Sequence, residues 1–301
     1  MLWLVIAILA YLILAVVFLI DKYLLVGSIS NPKVYAFYVG VLGIAVLLLF
    51  PFIEFSILAN RYLIFALIAG ASFVLGTLWF FKGLKLFEPS RMVPAVGGIL
   101  PIFTFLLIFI FSKGKESLAF WEIISFLLLI LGSFLITYNK AEKVSLQSLK
   151  ISTVAAFFFA LSFVFSKYVY LEYPFLLGLV WIRLGGVAMA LIFLFSRQLR
   201  SELFKEKPGL EKKTAVVFFS GQAVGAGAGI LQNWAVALVP MAYVAFINAL
   251  QGVQYAFLLV FAALLSLKLP GIIKEEISKE IILQKIIAVL FIGAGLAVLA
   301  L

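Results

Sequence analysis

The sequence predicts an all-α polytopic membrane protein of about ten transmembrane helices, arranged as two inverted five-helix repeats. Three observations carry this expectation. Apolar runs of roughly 17–25 residues recur from end to end, each long enough to cross a bilayer. The 301-residue chain is 66% hydrophobic and only 12% charged, whereas a soluble domain is about half apolar and a quarter charged. Landmarks of the first half also return in the same order in the second. Because the runs are continuous rather than alternating, a β-barrel is excluded.

Each span is set off by a break. Leu2–Ile20 opens the chain with no basic n-region and no small-residue cleavage site, so it reads as a retained span and not a signal peptide. Asn31-Pro32 introduces Val34–Ile53, Asn60-Arg61 introduces Tyr62–Phe81, and Glu88-Pro89 introduces Met92–Phe111. Lys113-Gly114-Lys115 precedes Phe120–Tyr138, and the charged segment Lys140–Lys150 precedes Ile151–Leu171. Tyr173-Pro174 separates that span from Phe175–Phe195. The longest polar stretch, Arg197–Lys213, leads to Thr214–Leu238, and Pro240 divides this from Met241–Leu267. Leu269–Lys279 precedes the last span, Leu283–Leu301.

Two units follow, residues 1–143 and 144–301. Phe18-Leu-Ile-Asp-Lys-Tyr23 matches Phe163-Val-Phe-Ser-Lys-Tyr168, so Lys22 pairs with Lys167. Pro32 pairs with Pro174, Gly43 with Gly185, Leu86–Pro89 with Ala237–Pro240, and Gly132 with Gly295. An odd number of spans per unit makes the units enter the membrane in opposite senses. Inverted repeats of this kind place a substrate site between the halves, near the midplane.

The stretch Thr214–Ser266 carries the densest polar pattern. Gly221, Gly225 and Gly229 recur every fourth residue and form a small-residue face for helix packing. Gln232, Asn233, Asn248, Gln251 and Gln254 are amides at membrane depth, costly unless they face protein, water or ligand. Asn248, Gln251 and Tyr255 fall on one stripe, with Gln254 beside it. Lining of a polar cavity is the functional reading of this set; interhelical hydrogen bonding is the bland one. Arg183 lies mid-span, where insertion scales assign it about 2.5–3.5 kcal/mol. It serves either as a structural clamp or as an anchor for a carboxylate or phosphate, which suit a planar guanidinium. Lys22 and Lys167 end the first and sixth spans; snorkelling to the interface competes with a gating or ligand role.

The landmarks resemble the drug/metabolite transporter superfamily, and within it the EamA-type transporters. The features are the aromatic-rich segments ending in Lys22 and Lys167, and Pro174 followed by Arg183. They continue with the turns Gly83-Leu84 to Pro89 and Ala237-Leu238 to Pro240, and with Gly97-Gly98-Ile-Leu-Pro101. Loop glutamates stand at Glu116 and at Glu275 or Glu276. The likeness covers nearly the whole chain. It departs in the first half, where Val41 stands for the arginine and Gly97, Leu100 and Phe103 for the three amides. The departures favour a site biased to the second half.

The resemblance implies a secondary transporter of a small polar or amphipathic metabolite, amino-acid-like or anionic, across the cytoplasmic membrane, with export favoured over import. A lipid or lipid-linked-precursor flippase on the same scaffold is the alternative, and would show a laterally open apolar groove. A non-transporting scaffold would show amides fully paired with one another. Catalysis has no motif behind it: cysteine and histidine are absent, and no phosphate-cradling or nucleophile–base pattern stands in their place. The expected partners are a small-molecule substrate and the lipid bilayer, with a homodimer left open and no nucleic acid, cofactor or metal. The acids fall at predicted span ends or in loops, and Asp21 and Glu88 are the nearest to coupling carboxylates. Every Lys and Arg except Arg61, Lys113, Lys115, Lys167 and Arg183 falls in or beside an odd-numbered loop. That bias places both termini outside by the positive-inside rule, while the resemblance implies cytoplasmic termini.

Overall fold

The computed structural model describes residues 2–26, 31–87, 89–116, 118–135, 146–203, 212–257, 261 and 279–299. Every regular element among them is helical. Helix α1 spans Leu2–Val26, six residues beyond the predicted end, so Asp21 lies inside the helix and not at its edge. Helix α2, Pro32–Leu42, begins where Asn31 accepts a hydrogen bond from the Lys33 backbone N–H and Pro32 takes the first helical position. Both choices suit a helix start: the side chain satisfies a free N–H, and proline lacks one. Helix α2 tightens into a 3₁₀ helix, Gly43–Phe52, that ends just past Pro51.

Helices α3 (Asn60–Leu86) and α4 (Pro89–Phe111) follow. Helix α4 stops at left-handed Lys113 and Gly114, and the Gly114 N–H returns to Phe109 O, satisfying a helix-end carbonyl. Then come α5 (Phe120–Leu135), α6 (Leu146–Glu172) and α7 (Phe175–Ile192), with Pro174 at the α7 N-cap. A short α8 (Arg197–Leu203) precedes α9 (Lys212–Leu238). The predicted ninth span is not one helix. It is a 3₁₀ turn, Met241–Tyr243, then α10 (Val244–Ala249), a turn at Leu250, and α11 over 251–257. The end of that predicted span, Glu88 and Glu275 and Glu276 lie outside the described residues. Helix α12, Lys279–Leu299, closes the chain.

Among the described residues six helices are long and apolar enough to cross a membrane; α4, α5 and α12 contribute shorter apolar stretches. Large side chains such as Leu48, Phe52, Phe120 and Phe195 stand exposed, which suits a protein whose outer solvent is lipid. The main packings join the two halves of the chain: α1 with α9, α3 with α6 and α7, α4 with α6 and α10, and α5 with α12. Helices α3 and α7 cross backbone to backbone. A Cβ on Gly70 would lie 1.9 Å from Ile182 O, and one on Gly185 2.7 Å from Leu67 Cα. Only glycine permits that approach.

Candidate substrate cavity

A cavity of about 410 Å³ lies between the halves, walled by α1, α2 with its 3₁₀ extension, α3, α4, α6, α7, α9 and α11. Two packed helices supply matching stripes. Tyr11, Leu14, Phe18 and Asp21 of α1 line it at i, i+3, i+7 and i+10. Gln222, Gly225, Gly229 and Gln232 of α9 do so at the same spacing. That spacing keeps residues on one helical face. The stripes meet at both ends. Gln222 Nε2 donates to Asp21 Oδ1 at 3.3 Å, and Gln232 Nε2 donates to Tyr11 Oη at 3.1 Å. The helices therefore run antiparallel. Tyr11 in turn donates to Ile247 O at 2.7 Å, bonding a carbonyl of the broken ninth segment.

Arg183 enters the cavity from the middle of α7. Its guanidinium carbon stands 5.3 Å from the Phe73 ring centroid, a cation–π distance. No carboxylate pairs with it among the described residues. Gly229 gives it room, since a Cβ there would sit 2.9 Å from Arg183 Nη2. Along α9, Gly229 is seven residues from Gln222, Asp21's partner, which separates the two charged groups by roughly 10 Å at 1.5 Å rise per residue. The rest of the wall is largely apolar, with Phe80, Phe81, Phe159 and Phe163 prominent.

The predicted amides divide. Gln232, Gln251 and Gln254 line the cavity. Gln251 Oε1 and Gln254 Nε2 are buried with no hydrogen-bond partner among the described residues. Asn233 lies instead on a neighbouring pocket of about 40 Å³, shared with Arg183 and Gln232. It is engaged at both ends of its amide, accepting from Tyr170 Oη at 2.9 Å and donating to Gly229 O at 2.9 Å. Asn248 is not in the cavity wall. It is fully buried and donates to Thr104 Oγ1 at 2.8 Å, so it joins α10 to α4 as a clamp. The predicted stripe of Asn248, Gln251 and Tyr255 assumed one continuous helix, and the break at Leu250 turns Asn248 away. Tyr255 is buried with its hydroxyl against Gly97, also outside the wall.

Lys167 neither snorkels nor faces the cavity. It is 2% exposed, and its Nζ donates at 3.0 Å to Ala237 O in the last turn of α9, where a cation meets the helix dipole favourably. The Lys22 side chain lies outside the described residues. Gly221 and Gly225 sit against α1, facing Ile20 and Val17.

Polar lining residues not singled out as substrate contacts in the sequence include Tyr11, Asp21, Thr77 and Gln222. Gln222 had a signal, since it begins an i, i+3, i+7, i+10 series with Gly225, Gly229 and Gln232. Tyr11 and Asp21 form the same series on α1 with Leu14 and Phe18.

No family model matches the chain, and no curated protein matches it. Solved structures do. One, described only as a crystal structure of protein, superposes with a TM-score of 0.64 at 18% identity, over 99% of this chain and 94% of that one. At that identity the likeness speaks for the fold alone.

Proposed function

We propose that the chain is a ten-span secondary transporter of inverted five-helix repeats that moves a small amphipathic metabolite carrying an anionic group. The observation that carries this reading is Arg183, a guanidinium facing a shared internal cavity with no carboxylate beside it among the described residues. A cation left so at membrane depth is costly without an anionic ligand or water. Gln232, Gln251 and Gln254 orient the ligand, and the phenylalanine wall takes its apolar part. The unpaired Gln251 and Gln254 atoms weigh against a scaffold with fully paired amides. The family likeness with the EamA-type transporters is of the same kind.

Packing supports the repeat. Exchanging the halves carries α1–α9 onto α6–α3, and carries α2–α7, α4–α10 and α5–α12 onto themselves; each of these pairs is in contact. Such a pseudo-two-fold suits alternating access around a fixed site. The lysine and arginine bias puts both termini outside, which a C-terminal reporter active on one side of the membrane tests.

Replacing Arg183 with Gln is expected to lower ligand affinity by roughly 10–100-fold, the worth of a charged hydrogen bond of about 1.5–3 kcal/mol. A thermal-shift screen of monocarboxylates, amino acids and organic phosphates identifies the ligand, and flux into reconstituted vesicles reads the variant. Undiminished flux in a normally folded Arg183→Gln protein removes Arg183 from the site.

A further inference from the structure

The cavity holds a second ionisable group that the anion-binding reading does not use. Asp21 is 6% exposed and lines the cavity at the opposite end of the α9 stripe from Arg183. Its hydrogen bonds are one-sided. Tyr35 Oη donates to Oδ1 at 2.5 Å, and Gln222 Nε2 donates to the same oxygen at 3.3 Å. Gln222 Nε2 also reaches Tyr35 Oη at 3.3 Å, closing a three-membered cradle from α1, α2 and α9. Oδ2 receives no hydrogen bond among the described residues.

Among the described residues the surroundings supply no counter-charge. From α2 the facing titratable group is Tyr35, a neutral donor. From α9 come Gln222 and Phe218, which stacks edge-on against Tyr35. From α3 the wall is Thr77, Phe80 and Phe81, while Lys82 is exposed and lies over the Trp79 ring. Arg183 of α7 makes no ion pair with Asp21 among the described residues. Tyr11, on Asp21's own helix, is engaged with Gln232 and Ile247. A buried carboxylate with neutral donors on one oxygen lacks the cation that would hold it ionised. Ionisable groups so placed inside membranes serve as proton carriers.

We infer that Asp21 is a proton-binding site of the cavity, with Oδ2 taking a proton from cavity water and returning it there while Tyr35 and Gln222 hold Oδ1. An O–H bond of a hydronium ion in the cavity breaks as the Oδ2–H bond forms, and the reverse transfer returns the proton to water and restores the carboxylate. The site's existence does not rest on the transport reading; its use does. If the chain carries an anion past Arg183, a proton on Asp21 rides in the same cavity and links flux to pH.

The test needs no substrate. Infrared difference spectra of the full-length protein in lipid nanodiscs, titrated with pH across the neutral range, read the protonated carboxyl C=O stretch. The wild type is expected to show a titrating carboxyl band that is missing from Asp21→Asn, an isosteric change that keeps an acceptor for Tyr35. Tyr35→Phe keeps the carboxyl but removes its main donor, so the band is expected to remain with a shifted midpoint. Identical spectra for wild type and Asp21→Asn overturn the proposal, as does a Tyr35→Phe midpoint equal to the wild type's. Loss of the band with Arg183-dependent flux intact leaves the two readings separable, because flux through Arg183 is measured independently.

Discussion

Two crossings that the proposed repeat relates by exchange are built differently. Helix α3 meets α7 with backbones touching, through Gly70, Gly185 and Gly186. The exchanged pair is α9 with α2. There, the contacts among the described residues run through side chains: Gln222 to Tyr35, and Phe218 against Tyr35 and Tyr38. The tight crossing leaves only a pocket of about 40 Å³ beside Gly70 and Gly186, while the looser one borders the main cavity and carries the Asp21 cradle. These are, in the proposed repeat, two versions of one joint, one closed by glycine and one bridged by side-chain hydrogen bonds. Under the proposed alternating access, this asymmetry is what a single conformer of an inverted repeat looks like. The side-chain joint is the one a proton on Asp21 could loosen or tighten.

The largest expected effect comes from attacking the tight crossing. Gly70→Ala puts a methyl 1.9 Å from Ile182 O and 2.4 Å from Gly186 N, both backbone atoms that cannot swing aside. Overpacking of this kind costs about 3 kcal/mol or more, so little monodisperse protein is expected on size exclusion. Gly227→Ala is the control, since nothing stands within 4 Å of its Cβ. It gains about 1 kcal/mol of helix propensity instead. At the α1–α9 seam, by contrast, Gly221→Ala meets the Ile20 Cγ2 methyl at 2.8 Å, a side-chain atom and not the backbone that blocks Gly70. If Gly70→Ala proved as stable as Gly227→Ala, the contrast between the two crossings would disappear.

A smaller effect separates clamps from cavity contacts. Asn248→Ala removes the bond to Thr104 between α10 and α4 and is expected to cost about 1–2 kcal/mol of stability with ligand affinity unchanged. Gln232→Ala should do the reverse: ligand affinity falls several-fold, with a stability loss of about 1 kcal/mol from the missing bond to Tyr11. Denaturation midpoints and binding isotherms on the same two proteins decide it. A fall in affinity for Asn248→Ala would return that residue to the site.

Much of the fold was legible because membrane burial writes itself in composition. The breaks at Asn31-Pro32, Lys113-Gly114 and Tyr173-Pro174 were readable for a local reason, since caps and left-handed glycines act within one turn. The lining of the candidate cavity was partly legible. Arg183, Gln232, Gln251 and Gln254 stood out because polar groups are rare in such helices. Asn248 lies on the far side of the turn at Leu250 from Gln251, while Tyr255 shares α11 with Gln251 but sets its hydroxyl against Gly97, a packing partner that sequence does not show. Lys167 misled because its partner, the Ala237 carbonyl, is far along the chain, and sequence does not show where a helix end will lie. The apolar run ends at Ile20, so the sequence puts Asp21 at a span end and makes it, with Glu88, only the nearest candidate for a coupling carboxylate. Helix α1 continues to Val26 and carries it inward.

The finest probe leaves every charge and amide in place. Gly229→Ala adds a methyl 2.9 Å from Arg183 Nη2, the mobile end of a long side chain, so the helix tolerates it while the guanidinium must shift by a few tenths of an ångström. Gly225→Ala, one turn earlier on the same face, meets only Val17 Cγ1 at 3.3 Å and leaves Arg183 alone. If Arg183 is a geometric anchor, Gly229→Ala weakens ligand binding a few-fold and Gly225→Ala does not, at equal folded yield, because charged hydrogen bonds depend on direction as well as charge. If the arginine acts only through its long-range field, a displacement that small changes nothing and the two variants bind alike. The comparison therefore distinguishes a fitted anion site from a merely electropositive cavity.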